Sequence, residues 1–563
     1  MSPILPEFNE DKSLKKFAML RKREEENLAE ALAQKYGVGY LDLNIMPINI
    51  DALRVMREVD AREAEVAPFN ITDKKVDIGV LSPNSDKTLA VIEKLKAQGY
   101  TPTMFMVSHE SLNKVWARYK ELSYSFETKG GALDISSDEI NDLVKNVTNV
   151  TLLKQEIDAV LSAKKSYRIS KIFEIILAGA LAMKASDVHI EPEENTVRLR
   201  YRLDGVLTDI LYFDHETFKL LLSRIKLVSD LKLNVGGAQD GRFSIKISDG
   251  DVEVRTSLLP GTYSESVVLR LLNPKATSVD LEGRGIHPRL LKIFLHEVSK
   301  PNGMILVTGP TGSGKTTTLY AFLKKIYSSD IKIITIENPI EYHLQGIVQT
   351  QTDEDSGYTF AGGLRAALRQ DPDVIMVGEI RDSETAETAI NAALTGHLVL
   401  STLHTNNAAG SFPRLMDLGV NPKVIASAIN ISIAQRLVRV LCPDCRKEIN
   451  PSEADKKIID ATLQSIADKT YLEGVQTEKV WEAVGCPKCN MLGFVGRIGV
   501  FEAILADEAI EKIVLENPSE REIRRAAAPQ NSLSMKQDGV IKVLQGTTSM
   551  VELSRVIDLE KEE

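Results

Sequence analysis

Gly309-Pro310-Thr311-Gly312-Ser313-Gly314-Lys315-Thr316 follows the apolar run Met304–Val307 and precedes a helix-forming stretch, Thr317–Lys324. This is the phosphate-loop pattern, and the strand before it and helix after it separate it from a chance Gly/Ser turn. Glycines let the backbone curl until successive N–H groups converge on phosphate oxygens, and the helix start offers its positive end to the same anion. Lys315 is expected to pair with the β and γ phosphates of ATP and Thr316 to hold Mg²⁺, with Gly309, Pro310, Thr311, Gly312, Ser313, Gly314 and Thr317 forming the rest of the cradle.

Outward from the loop, Val374-Ile375-Met376-Val377-Gly378-Glu379 is an apolar strand ending in an acid. In parallel sheets the carboxyl ends of strands open on the ligand crevice, so Glu379 is expected to meet Mg²⁺ directly or through water. A further strand, Ile333–Ile336, runs into Glu337-Asn338-Pro339-Ile340-Glu341, two carboxylates of which one could polarise an attacking water. A single acid after a buried strand is more often simply solvated; two flanking a phosphate loop point to function. His397 and His404 bracket the apolar strand Leu398–Leu403, seven positions apart, so in a regular strand they face opposite sides and only one touches nucleotide. A structural hydrogen-bonding role competes for each.

Strand and amphipathic helix alternate over 279–435 as in a parallel sheet with crossovers, an α/β core. Upstream, 29–122 alternates helical stretches (Ala29–Tyr36, Asp51–Glu58, Leu89–Lys96) with short strands (Val76–Leu81, Met104–Val107), a small α/β module. Glu127–Asp142 is polar and carries Gly130, Gly131, Ser136 and Ser137, and is taken as a linker within 123–150. Residues 151–278 form a second α/β module with period-two strands such as Thr196–Leu203 and Val252–Leu258. Residues 1–28 are a charged tail read as a solvated helix, 436–500 hold the cysteines, and 501–563 are helical.

With 563 residues, 43% of them hydrophobic and 26% charged, the chain is too long for one core and too apolar for disorder. A net charge of -10 provides no basic face for a phosphodiester backbone, which argues against nucleic acid as a partner. The longest apolar candidate, Ile175–Met183, is interrupted by Gly179 and too short to span a bilayer. Met1–Glu10 lacks the pattern of a signal peptide, so a cytoplasmic location is expected. Disulfides then do not explain the four cysteines, Cys442-Pro443-Asp444-Cys445 and Cys486-Pro487-Lys488-Cys489. Two C-x-x-C knuckles are expected to hold one structural Zn²⁺, because four thiolates leave no position for water. Redox-active knuckles are the competing reading. The 40 residues between Cys445 and Cys486 exceed the common ribbon spacing, and a helix over Pro451–Lys469 is expected to fill part of them.

These motifs together resemble the secretion ATPases that power type II secretion and type IV pilus assembly. The resemblance runs through an acidic box at Ile336–Glu341, a Walker B segment from Leu368-Arg369-Gln370-Asp371-Pro372-Asp373 to Gly378-Glu379-Ile380-Arg381-Asp382, and a histidine box from Thr395-Gly396-His397 to Leu403-His404-Thr405. Upstream it takes in Ala185-Ser186-Asp187-Val188-His189-Ile190-Glu191-Pro192, Arg200-Tyr201-Arg202-Leu203-Asp204-Gly205 and Gln239-Asp240-Gly241-Arg242. It implies a RecA-like P-loop core, a preceding PAS-like domain that covers ATP, an N-terminal partner-docking domain and a tetracysteine zinc subdomain. It implies Glu341 as the catalytic glutamate and Glu379 as the Walker B acid, with His397 and His404 in the catalytic group. It also implies Arg255, Arg270 and Arg365 on the phosphates, where a planar guanidinium meets oxygens in pairs.

The same resemblance implies a homo-hexamer on the cytoplasmic face of the inner membrane, working on a platform protein with or without a cytoplasmic linker protein. The cysteines and the N-terminal domain, with Tyr36-Gly37-Val38-Gly39-Tyr40-Leu41-Asp42-Leu43, match assembly motors rather than retraction motors. Two positions depart from the pattern: Asn338 stands where an aspartate is usual, and Val235-Gly236-Gly237-Ala238 replaces an arginine- and proline-rich stretch. A nucleic-acid motor and a non-hydrolysing ATP-binding scaffold are the alternatives; the charge balance opposes the first, and Lys315, Glu341 and Glu379 oppose the second.

Overall fold

The strand that carries the phosphate loop, Gly303–Thr308 (β1), is buried along its whole length. Its alternate side chains feed two cores: Met304 and Leu306 pack with Ile336, Val377 and Val399, while Ile305 and Val307 pack with Leu319, Phe322 and Met376. Two-sided burial of this kind belongs to a sheet covered by helices on both faces. A computed structural model describes residues 24–119, 132–133, 137–162, 168–272 and 280–560, apart from 47, 54, 57, 73, 98, 234, 235, 249 and 517. The expected charged tail therefore lies almost wholly outside the described residues.

After β1 come Lys315–Ile326 (α1), Ile333–Glu337 (β2), Val348–Gln351 (β3), Phe360–Leu368 (α2), Val374–Val377 (β4), Ser383–Leu394 (α3), Leu398–Leu403 (β5), Ile429–Leu441 (β6) and Phe494–Leu505 (β7). The sheet order is β3-β2-β4-β5-β1-β6-β7. Every neighbouring pair is parallel except β6 and β7. The carboxyl ends of β2, β4, β5 and β1 therefore share one edge, the edge at which α/β sheets bind ligands.

β6 and β7 form a long antiparallel ribbon, from Ile431 opposite Leu505 to Leu441 opposite Phe494. The boundaries expected at 435/436 and 500/501 thus fall inside strands of the core sheet, and the cysteine segment is an insertion at the ribbon's end. Polar Gln435, Arg436 and Arg439 interrupt the apolar run of β6 and hide its true length from pattern reading. Behind the ribbon, Met550–Val556 is fastened by the buried Glu552, which accepts hydrogen bonds from Arg439 Nε at 2.9 Å and Arg555 Nη2 at 2.6 Å. The expected insert helix is present as Glu453–Ser465, started by Ser452 accepting from the Asp455 N–H.

The chain divides into two compact units, 272–563 with 203–206, and 1–202 with 207–271. The latter contains a four-stranded sheet in the order Gly39–Tyr40, Thr101–Met106, Lys75–Val80, Val66–Thr72, of which the two central strands lie close to those expected at Val76–Leu81 and Met104–Val107. Val66–Thr72 went unseen in the sequence, because Pro68 and Asn70 disguise its pattern. A second, seven-stranded sheet has Asp187–Pro192 between Glu265–Leu272 and Val197–Leu203. Ser137–Asn146 is a helix, so the second half of the expected linker carries ordered structure and buries Ile140 and Val147; the helix Val150–Ser162 follows it and buries Leu153. Among the described residues no helix is long and apolar enough to cross a membrane.

Candidate functional site

The phosphate loop leaves β1 at the sheet edge where β4 and β5 also end. Gly309 sits at φ +146°, and a Cβ there would fall 2.5 Å from the Gln435 carbonyl of β6. Gly314 sits at φ +88° in the left-handed region and caps α1. Both positions demand glycine, one for space and one for backbone conformation. Lys315 Nζ donates to the carbonyls of Gly309 (2.9 Å) and Pro310 (3.2 Å). Burial pulls the Lys315 ammonium below its ordinary range, against the attraction of Glu379 and with the repulsion of Arg436. Ser313 Oγ is buried with no hydrogen-bond partner among the described residues, which fits a loop that receives a polar ligand.

Glu379 follows β4, with Oε1 2.6 Å from Arg381 Nη2 and Oε2 3.4 Å from His404 Nε2. Burial and the neighbouring Lys315 lower the His404 pKa, while Glu379 opposes them. The strand ends are stitched together: Thr402 Oγ1 donates to the Gly378 carbonyl (2.8 Å), and the Ile380 N–H to the Thr402 carbonyl (3.0 Å). Thr308 Oγ1 accepts from the Thr405 N–H (2.9 Å). Lys315, Glu379 and His404 are thereby held as one electrostatically coupled group.

His397 does not join them. It precedes β5, at the opposite edge of the sheet, and one strand of this length separates it from His404 by about 20 Å. Its Nδ1 lies 3.0 Å from the Ala392 carbonyl, so within one chain its role is to finish α3. Within one chain the two histidines lie at opposite ends of β5, and only His404 stands beside Glu379.

The two carboxylates after β2 also separate. Glu337 is 2% exposed and accepts from the Tyr320 and Thr335 hydroxyls and from Gln349 Nε2 at 3.1 Å. It is committed to packing. Glu341 is half-buried in the loop that follows. Arg365 pairs with Glu384 of α3. In the preceding unit Arg255 lies 3.7 Å from Glu253, and Arg270 Nε donates to Asp187 at 3.0 Å.

Sequence reasoning missed β6. Gln435 Oε1 accepts from Thr318 in α1 at 2.7 Å, and its backbone walls the loop at Gly309. The adjacent polar pair Gln435 and Arg436 within the strand was the available signal.

The four cysteines converge, all sulfurs lying within 4.8 Å of one another. Sγ–Sγ distances are 3.9 Å (Cys442–Cys486), 3.8 Å (Cys445–Cys489) and 3.7 Å (Cys486–Cys489). A tetrahedral ion with metal–sulfur bonds near 2.3 Å needs sulfurs about 3.8 Å apart. The Gly485 and Gly493 N–H groups point at Cys445 and Cys489 sulfurs, at 3.3 and 3.2 Å. The donor set is one that holds a metal ion.

A family model described as "Type II/IV secretion system protein" matches residues 162–555. The chain belongs to this family. Type II secretion system ATPase E of Vibrio cholerae is 44% identical to this chain over 425 residues, 75% of this chain and 80% of that relative. Type IV pilus assembly ATPase PilB of Myxococcus xanthus is 34% identical over 533 residues, 94% of this chain and 91% of that one. In fold, the chain is similar to the Legionella pneumophila ATPase DotB, with 23% identity, a TM-score of 0.50, and coverage of 68% of this chain and 94% of DotB. The matched region contains the phosphate loop, Glu341, Glu379, His404 and all four cysteines of this ATP-hydrolysing family.

Proposed function

We propose that the chain is the ATP-driven motor of a type IV pilus or type II secretion pseudopilus assembly machine. The observation that carries this reading is the coupled group of Lys315, Glu379 and His404 around a phosphate loop, in a chain that aligns with both kinds of assembly ATPase. Lys315 and the loop N–H groups bind the ATP phosphates, Thr316 and Glu379 hold Mg²⁺, and Glu341 orients and deprotonates the attacking water. Mg²⁺, when bound, offsets the charge of the β and γ oxygens. His404, kept neutral by burial and Lys315, stands beside Glu379 at the end of β5. Arg365 supplies a guanidinium group to the phosphates, the role that the family resemblance also implies for Arg255 and Arg270. The cysteines bind Zn²⁺, which with four sulfur ligands serves as a cross-link.

Six copies form a ring on the cytoplasmic face of the inner membrane. ATP binding and hydrolysis drive a conformational cycle that acts on a platform protein or its cytoplasmic linker partner. Steady-state ATP hydrolysis with Mg²⁺ tests the chemistry, comparing wild type with Lys315→Ala and Glu341→Gln and with DNA in a parallel series. Slow turnover, lost in both variants and indifferent to DNA, is expected; no wild-type turnover would restore the scaffold reading, and stimulation by DNA the nucleic-acid motor. Sedimentation with a non-hydrolysable ATP analogue tests the ring, which a monomer at working concentration refutes.

A further inference from the structure

Gln435 is a buried amide in β6, at a place where an apolar side chain of the same size would pack without the cost of burying polar atoms. Parallel register sets Ala434 beside Thr308, the last residue of β1, so Gln435 stands level with the start of the phosphate loop. It touches that loop at both ends. Its carbonyl lies against Gly309, where an added Cβ would fall 2.5 Å from it, and its Nε2 lies against Gly314, where an added Cβ would fall 2.9 Å from it. Its Oε1 accepts from the Thr318 hydroxyl at 2.7 Å. Thr318 is buried near the start of α1, and its N–H donates to the Gly314 carbonyl at 3.0 Å. One residue of the core sheet thus meets the loop where it leaves β1 and where it enters α1.

The Thr318 hydroxyl does not depend on Gln435 for a partner. A threonine within a helix can turn to the carbonyl four residues back, here that of Gly314. What Gln435 adds is therefore a tie between β6 and α1. The loop between them carries glycines at 309, 312 and 314, the residue type that loses most freedom on ordering. Order that a ligand must impose is subtracted from its affinity, whereas order built into the free protein is not. Lys315 also closes the loop, through the Gly309 and Pro310 carbonyls, but it has to release them to meet a phosphate. The Gln435 tie makes no use of Lys315. We infer that Gln435 is a positioning residue, whose tie to Thr318 holds the phosphate loop in its anion-binding curve before nucleotide arrives. This role rests on reading the loop as the ATP phosphate site.

Packing and positioning predict different readouts. If Gln435 only packs, replacing it lowers melting and leaves nucleotide affinity alone. If it orders the loop through Thr318, breaking the tie from either end weakens nucleotide binding by the same amount.

Binding of a fluorescent ATP analogue, kcat and KM for ATP, and nucleotide-free melting are compared in the full chain as wild type, Gln435→Met, Thr318→Val and the double variant. Methionine keeps an unbranched side chain of similar length and valine keeps the branching of threonine, so each removes one end of the tie. Expected are analogue affinities weakened roughly fivefold or more in each single variant, a loss in kcat/KM carried mainly by KM, and no further weakening in the double variant. Wild-type affinity in either single variant overturns the positioning role whether or not melting falls, and so do losses that add in the double variant. A wild type that does not bind the analogue, or binds it as tightly after Lys315→Ala, removes the ATP reading of the loop and the positioning role with it. Should Gln435→Met fail to fold, Thr318→Val decides: wild-type affinity overturns the role, and a loss of roughly fivefold or more supports it.

Discussion

Replacing Glu337 and Glu341 one at a time separates packing from chemistry in four residues of sequence. Glu337 is the acceptor for Tyr320, Thr335 and Gln349 and is 2% exposed. Glu337→Ala leaves the buried Tyr320 and Thr335 hydroxyls without this acceptor, each costing about 1–3 kcal/mol, and takes from the half-buried Gln349 Nε2 one of its two acceptors, the other being the Tyr342 carbonyl. Water entering the space left by the side chain relieves part of that, so a net loss of about 3 kcal/mol is expected, in the lower half of the range. For a unit of this size such a loss lowers the melting temperature by roughly 6–12 °C. Glu341 is half-buried at the crevice edge. Glu341→Gln keeps its shape, so melting is expected to move little, while loss of the base lowers kcat by roughly a hundredfold or more. Differential scanning fluorimetry and a coupled ATPase assay on the two variants suffice. Glu337→Ala that melts like wild type, or Glu341→Gln that turns over like wild type, refutes the division of labour between these carboxylates.

His404→Ala is expected to lower kcat more than His397→Ala, which loosens the end of α3 and is read best by melting; the reverse order in the ATPase assay contradicts the placement of the two rings. Because burial and Lys315 depress the His404 pKa below its ordinary 6.5, the unfolded chain takes up that proton first as pH falls. Stability from the neutral ring is complete above about pH 6.5 and is lost as pH drops through the depressed value, so melting curves between pH 7.5 and 5.5 should be flatter in His404→Gln than in wild type. Metal analysis is expected to find about one zinc per chain, absent in Cys442→Ser and Cys486→Ser, with lowered melting and retained binding of an ATP analogue. Zinc retained at full occupancy in either variant rules out the four-sulfur site.

The phosphate loop, the acid after β4 and the paired knuckles were legible because each is a local pattern: a turn, a strand end and a two-residue spacing fix their chemistry wherever the chain leads. Even the parallel sheet follows from alternation of apolar strand and amphipathic helix between 303 and 403. What spacing cannot carry is pairing between distant segments. The extent of β6 and β7 depends on each other's hydrogen bonds, so polar Arg436 and Arg439 look like a strand end until Phe494–Leu505 is laid beside them. The commitment of Glu337 to packing depends on Tyr320 and Gln349, which reach it from α1 and β3. The separation of His397 from His404 was half visible, since seven positions place them on opposite faces. Only the parallel register of β5 with β1, which sets Leu398 opposite Gly303 and Leu403 opposite Thr308, assigns His404 to the phosphate loop and His397 to the far edge. Sequence thus determined which groups the chain carries and the local turns that present them; tertiary structure decided which of those groups meet, because burial and cross-strand register act between residues that the sequence keeps far apart.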